Sequence, residues 1–200
     1  MMKKLLIVFS LLGVILGGLN FNQALAQAKV FEQTLSWMNY SFDIETKDNK
    51  LVFKSHNLTQ NNQDEIQDIT GYTINNTQIG DIDNDSYPEI FIYLTANDNN
   101  KYGQLIVFSC DKGNKMDLVT VKAIEDNKDL AKNYRGHDLM MIKDNMLVRV
   151  FPIYLENDTD DNPMGGMRKI EYKLITTAKA KILQPINYTD YKIFDEKIIN

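Results

Sequence analysis

The chain has 200 residues, 22 of them basic and 27 acidic, for a net charge of −5. That balance argues against nucleic acid or an anionic membrane surface as a partner and favours cationic ones. The single cysteine, Cys110, excludes an intramolecular disulfide and a cysteine-rich metal site, so the fold must stand on its core alone.

Lys3 and Lys4 precede an apolar run from Leu5 to Leu16, and Ala24-Leu25-Ala26 follows. A basic start, an apolar stretch and a small-x-small tripeptide read as a cleaved signal peptide over 1–26, which predicts a secreted or periplasmic protein. The run is short for a membrane span and is broken by Gly13, Gly17 and Gly18. No cysteine lies near the cleavage point, which argues against a lipid anchor. The expected mature chain, 27–200, keeps 20 basic and 27 acidic residues, a balance of −7, and is long enough for one domain with a core.

From there the sequence breaks into short β-like pieces between Asn/Asp/Lys/Gly turns. Ser41 to Thr46 alternates, and Leu51-Val52-Phe53 returns after Lys47-Asp48-Asn49-Lys50, a hairpin signal. Further strands are expected over 72–79, 89–95, 103–110, 117–123, 138–143, 146–154, 167–176 and 179–187. Asp144-Asn145 makes a tight turn, and a long loop runs from Glu156 to Met164. Helical periodicity is weak; short turns are expected around Asn62 to Asp68 and Lys128 to Asn133. Many short strands without alternating helices predict an all-β, antiparallel sandwich or barrel.

The densest motif is Gly80-Asp81-Ile82-Asp83-Asn84-Asp85-Ser86-Tyr87-Pro88-Glu89, followed by the apolar strand Ile90 to Leu94. Asp81, Asp83, Asp85 and Glu89 suit positions 1, 3, 5 and 9 of a calcium loop. Ser86 and Ile92 stand where an EF-hand needs Gly and a bidentate Glu, so that motif is excluded. Two readings stay open: a shorter calcium loop, or a turn whose aspartates accept backbone N–H bonds.

His137 and Asp138, within Tyr134-Arg135-Gly136-His137-Asp138, have the spacing of an oriented base. They lack a nucleophile elbow, a second metal-binding histidine or a phosphate loop, and no enzymatic activity is expected. The three arginines, Arg135, Arg149 and Arg168, stand out among many lysines. A planar fork suits carboxylates such as Asp138, Asp158 or Asp160, a pairing that would pin the 156–166 loop. Finally, Asn97 to Gly103 joins two strong strands and carries Tyr102, which reads either as an exposed contact anchor or as the ring of an ordinary Asn-rich hairpin loop that merely covers the sheet edge.

Taken in order, five segments resemble the periplasmic inhibitors of invertebrate-type (i-type) lysozymes, the PliI family. They are the Gly80 to Glu89 series, Tyr102-Gly103, Tyr134 to Asp138, Leu147-Val148-Arg149 with Phe151 to Tyr154, and Pro163 to Arg168. The resemblance spans roughly Phe31 to Asn187. It implies an antiparallel β-sandwich whose protruding loop plugs a lysozyme cleft, with no catalysis of its own. The family's Ser-Gly-x-Tyr loop pattern falls on Asn99-Asn100-Lys101-Tyr102. Tyrosine is kept, while Asn99 and Asn100 replace serine and glycine. By this reading Tyr102 is the anchor, Asn99 and Lys101 flank it, and Gly103 allows the bend. The competing expectation is a periplasmic calcium- or glycan-binding module working through Asp81, Asp83, Asp85 and Glu89.

Overall fold

The structure, a computed structural model, describes residues 30–60 and 64–192. The segment expected to be a signal peptide, 1–26, lies outside the described residues. Among those described, no helix is long and apolar enough to cross a membrane.

The chain is almost entirely β, built as three antiparallel sheets stacked on one another. The first sheet holds β1 (Glu32–Trp37), β2 (Tyr40–Lys47), β3 (Lys50–His56) and β4 (Glu65–Asp68) in that order. The middle sheet holds β5 (Tyr72–Gly80), β6 (Glu89–Ala96), β7 (Gly103–Cys110) and β8 (Met116–Leu118). Next come β9 (Thr120–Val121), a 3-10 turn (Ile124–Asp126) and the short helix α1 (Lys128–Ala131). The third sheet then forms from β10 (Leu139–Lys143), β11 (Met146–Pro152), β12 (Met167–Thr176) and β13 (Lys181–Tyr191). β9 closes its far edge by pairing parallel with Ile182 and Leu183 of β13.

The expected all-β, antiparallel sandwich is therefore present, with a third layer added. β6 explains why. Its apolar run is buried on both faces, as the unbroken hydrophobic sequence requires. Ile90, Ile92 and Leu94 pack toward Phe42, Ile44, Leu51 and Phe53 of the first sheet. Phe91 and Tyr93 point the other way, toward Leu147, Phe151, Ile170 and Tyr172 of the third. Phe53 and Phe108 stack 4.1 Å apart between the first two layers.

The two-residue turns follow from their sequence. Asp48-Asn49 and Asp144-Asn145 all have positive φ, the left-handed geometry that matches strand twist in tight hairpins and that Asn and Asp tolerate. Three expectations need correction. Of the turn expected around Asn62 to Asp68, positions 62 and 63 lie outside the described residues, and Glu65 to Asp68 is instead strand β4, paired with Lys50 to Phe53. The single strand expected over 117–123 is two, since Val119 is turned into the core between β8 and β9. β1 is an additional strand on the open edge of the first sheet.

Candidate functional site

The loop between β6 and β7 is held at three points. Ala96 N donates to Tyr102 O, Asn97 N to Gly71 O, and Lys101 N to the Asp98 carboxylate, each at 2.8–2.9 Å. Asn99 and Lys101 are exposed and Asn100 is half-exposed. The left-handed residue is Lys101 (φ +52°). Asn100, where the resemblance has glycine, needs no left-handed backbone here. Tyr102 differs from the exposed-anchor expectation: it is half-buried, because its ring packs edge-on against Tyr134 at 5.4 Å.

Beneath the loop lies a buried ionic knot. The Asp138 side chain is 0% exposed. Its Oδ2 accepts from Gly103 N at 2.7 Å and from the Tyr134 hydroxyl at 2.6 Å, and its Oδ1 accepts from Arg149 Nε at 2.6 Å. Arg149 Nη2 also donates to Gly103 O and to the Tyr134 hydroxyl. Asp138 and Arg149 thus both hold the backbone of Gly103, the start of β7. Burial raises the Tyr134 hydroxyl well above the usual range, so it stays a neutral donor. Close packing adds to this. A side chain at Gly136 would meet Asn100 O at 2.0 Å, and one at Gly103 would meet Asp138 Cβ at 2.5 Å.

His137 belongs to the same support, through its backbone. Its N–H donates to Asn100 O (3.0 Å) and Lys101 O (3.2 Å), and its exposed ring lies 6.5 Å from the Tyr154 ring. No described hydrogen bond joins that ring to Asp138, whose oxygens serve Arg149, Tyr134 and Gly103 instead. Arg135 lies over Tyr154 at 5.0 Å, donates to Asp158 O and approaches Asp160 at 3.7 Å, pinning the long loop after β11. Arg168 is remote from the β6–β7 loop. It grips Asp190 with two bonds of 2.7 Å and holds the carbonyls of Asp129, Leu130 and Lys132, tying α1 to the third sheet.

The acidic motif sits at the opposite end of β6. Asp81 accepts from Asp85 N and Ser86 N, and Asp85 accepts from Tyr87 N. Asp81, Asp83 and Glu89 bring carboxylate oxygens within 4.8 Å of one another, as a cation site would need. An ammonium is already there. Lys181 Nζ lies 3.1 Å from Asp83, 3.5 Å from Asp85 and 3.9 Å from Glu89, and it donates to Ser109 Oγ at 2.8 Å. Glu89 is 0% exposed and accepts from Ile82 N and Ser109 Oγ. Burial pushes its carboxyl up to about 7.

Lys181 was not legible in the motif, since 98 residues separate it from Asp83. Tyr172 likewise gave no local signal, yet it lines the groove beside the knot. Comparison with known proteins finds no matching family model, no curated relative and no solved structure.

Proposed function

We propose that this protein is a secreted or periplasmic inhibitor of a lysozyme, the i-type being the best fit, which acts by inserting the 97–103 loop into the enzyme's cleft. The single observation that carries the reading is the ionic knot of Asp138, Arg149 and Tyr134, which locks the Gly103 end of that loop to the sandwich while Gly71 O holds the Asn97 end. A loop ordered before binding loses little entropy when it docks. Its exposed side chains are Asn97, Asp98, Asn99 and Lys101, with Asn100 and Tyr102 half-exposed. A lysozyme cleft works with two carboxyl groups, one protonated and one ionised. The amides and the lysine suit such a cleft, and the loop's one carboxylate, Asp98, is engaged by the Lys101 N–H. The expected mature charge of −7 would steer the protein toward a cationic enzyme.

The competing calcium module is disfavoured by Lys181, because a calcium ion would have to displace an ammonium already shared by Asp83, Asp85 and Glu89. The test is lysis of bacterial cell walls by i-type, c-type and g-type lysozymes, with the chain from Gln27 and its Tyr102→Ala variant added. Selective inhibition of one class, lost in the variant, is the expected result. No inhibition of any class would overturn the proposal.

A further inference from the structure

A groove of about 400 Å³ opens between the middle and third sheets, at the base of the β6–β7 loop. That volume falls within the range of small-ligand sites, which combine apolar walls with a few fixed polar groups. Its floor carries the buried side chains of Arg149 and Tyr172, and its walls include the rings of Tyr102 and Tyr134.

Two polar groups on the floor have capacity left over. Tyr172 is 2% exposed, and its hydroxyl has no hydrogen-bond partner of proper geometry, although it lies beside the Arg149 guanidinium. A buried hydroxyl left unpaired costs about 1–3 kcal/mol, so it is a place where a ligand atom is favoured. The described hydrogen bonds of Arg149 use Nε and Nη2, and none uses Nη1.

Charge decides between ligand classes. The Arg149 charge is matched by Asp138 beneath it. What remains at the groove wall is Asp98 and Glu125 against Lys122, a mildly negative field that disfavours an anion. A purely apolar ligand would leave the floor groups without partners and would cover Glu125 and the free oxygen of Asp98, whose other oxygen takes the Lys101 N–H. A ligand with many hydroxyls and an apolar ring face satisfies all of them at once. Its hydroxyls donate to Asp98 and Glu125 and accept from Arg149 and Tyr172, while its ring C–H face lies on tyrosine.

We infer that this groove binds a neutral saccharide of about disaccharide size, seated on Tyr172 and Arg149. The groove lies apart from the acidic cup and shares Asp98 and Tyr102 with the 97–103 loop, but its saccharide reading does not depend on the lysozyme reading.

The test is an amide-shift titration of the chain from Gln27 with cellobiose, N,N′-diacetylchitobiose, maltose and digalacturonate. Saturable shifts at Gln104, Leu105 and Glu125 with a neutral disaccharide are expected, and comparing the three neutral sugars distinguishes linkage and the N-acetyl group. Tyr172→Phe keeps the ring and should weaken binding about tenfold, the loss of one hydrogen bond to a buried hydroxyl. Glu125→Gln, on the exposed 3-10 turn, should weaken it without disturbing the core. Three results would overturn the proposal: no shift in the groove with any neutral sugar, binding of digalacturonate alone, or equal affinity in the wild type and both variants.

Discussion

The two ends of β6 each bury an ionic cluster, and they are solved in opposite ways. At the loop end one carboxylate, Asp138, meets one guanidinium, with Tyr134 and the backbone of Gly103 completing the shell. At the other end Asp83, Asp85 and Glu89 share the single ammonium of Lys181. A charge-matched pair admits one arrangement and stiffens what rests on it. An under-neutralised cluster is sensitive to pH and to added cations. The lesson is that the number of counter-charges, more than the depth of burial, decides whether a buried cluster anchors or responds.

The contrast can be broken most directly at the anchored end. Arg149→Met leaves Asp138 buried without its cation and should cost about 3–5 kcal/mol in urea unfolding. Adding Asp138→Leu should recover much of that loss, since an apolar pair replaces a salt bridge well. A small loss in the single variant would show that the knot is not the anchor.

The responsive end is tested by pH. Glu89 has its folded pKa raised from 4.5 to about 7 by burial, so the folded state holds more protons than the unfolded one between those values. Stability therefore falls as pH rises from about 4.5 to 7, by about 3 kcal/mol at most. Glu89→Gln should flatten that slope in melts recorded across the interval. Lys181→Met removes the shared ammonium and should cost about 2 kcal/mol at pH 8, with less loss at pH 5 where Glu89 takes a proton. Calcium should raise the melting temperature of that variant and leave the wild type unmoved. Calcium stabilisation of the wild type would restore the cation-loop reading. The smallest effect is expected at the half-exposed Arg135. Its pairing with Asp160 and Tyr154 lies near the surface, so Arg135→Leu should change stability by about 1 kcal/mol or less.

What the sequence revealed depended on how local each signal was. The hairpin turns at Asp48-Asn49 and Asp144-Asn145 carry their own backbone chemistry and were readable in two residues. The unbroken run Ile90 to Leu94 announced a buried strand, and burial on both faces is what a middle layer requires. β1 was harder, because Glu32, Thr34 and Ser36 face solvent and none of its residues is fully buried. The arginines pointed toward carboxylates by their rarity, and Asp138 and Asp160 are among their partners. Lys181 and the floor of the groove depend on contacts across 46 to 98 residues, which no spacing rule reaches.

The chain lays down its three sheets in order, the first two as meanders of neighbouring strands and the third as a meander with β9 added at its far edge. As the polypeptide emerges from its amino end, residues 32–68 are complete before any strand of the middle sheet exists. Phe42, Ile44, Leu51 and Phe53 then have nothing to cover them. The first sheet must wait, exposed, for β6 to arrive. Folding should therefore nucleate on the middle sheet once Gly103–Cys110 is available, with the outer layers condensing on its two faces. A nascent chain stopped before residue 110 would present a bare aromatic face, the kind of surface that holding chaperones bind.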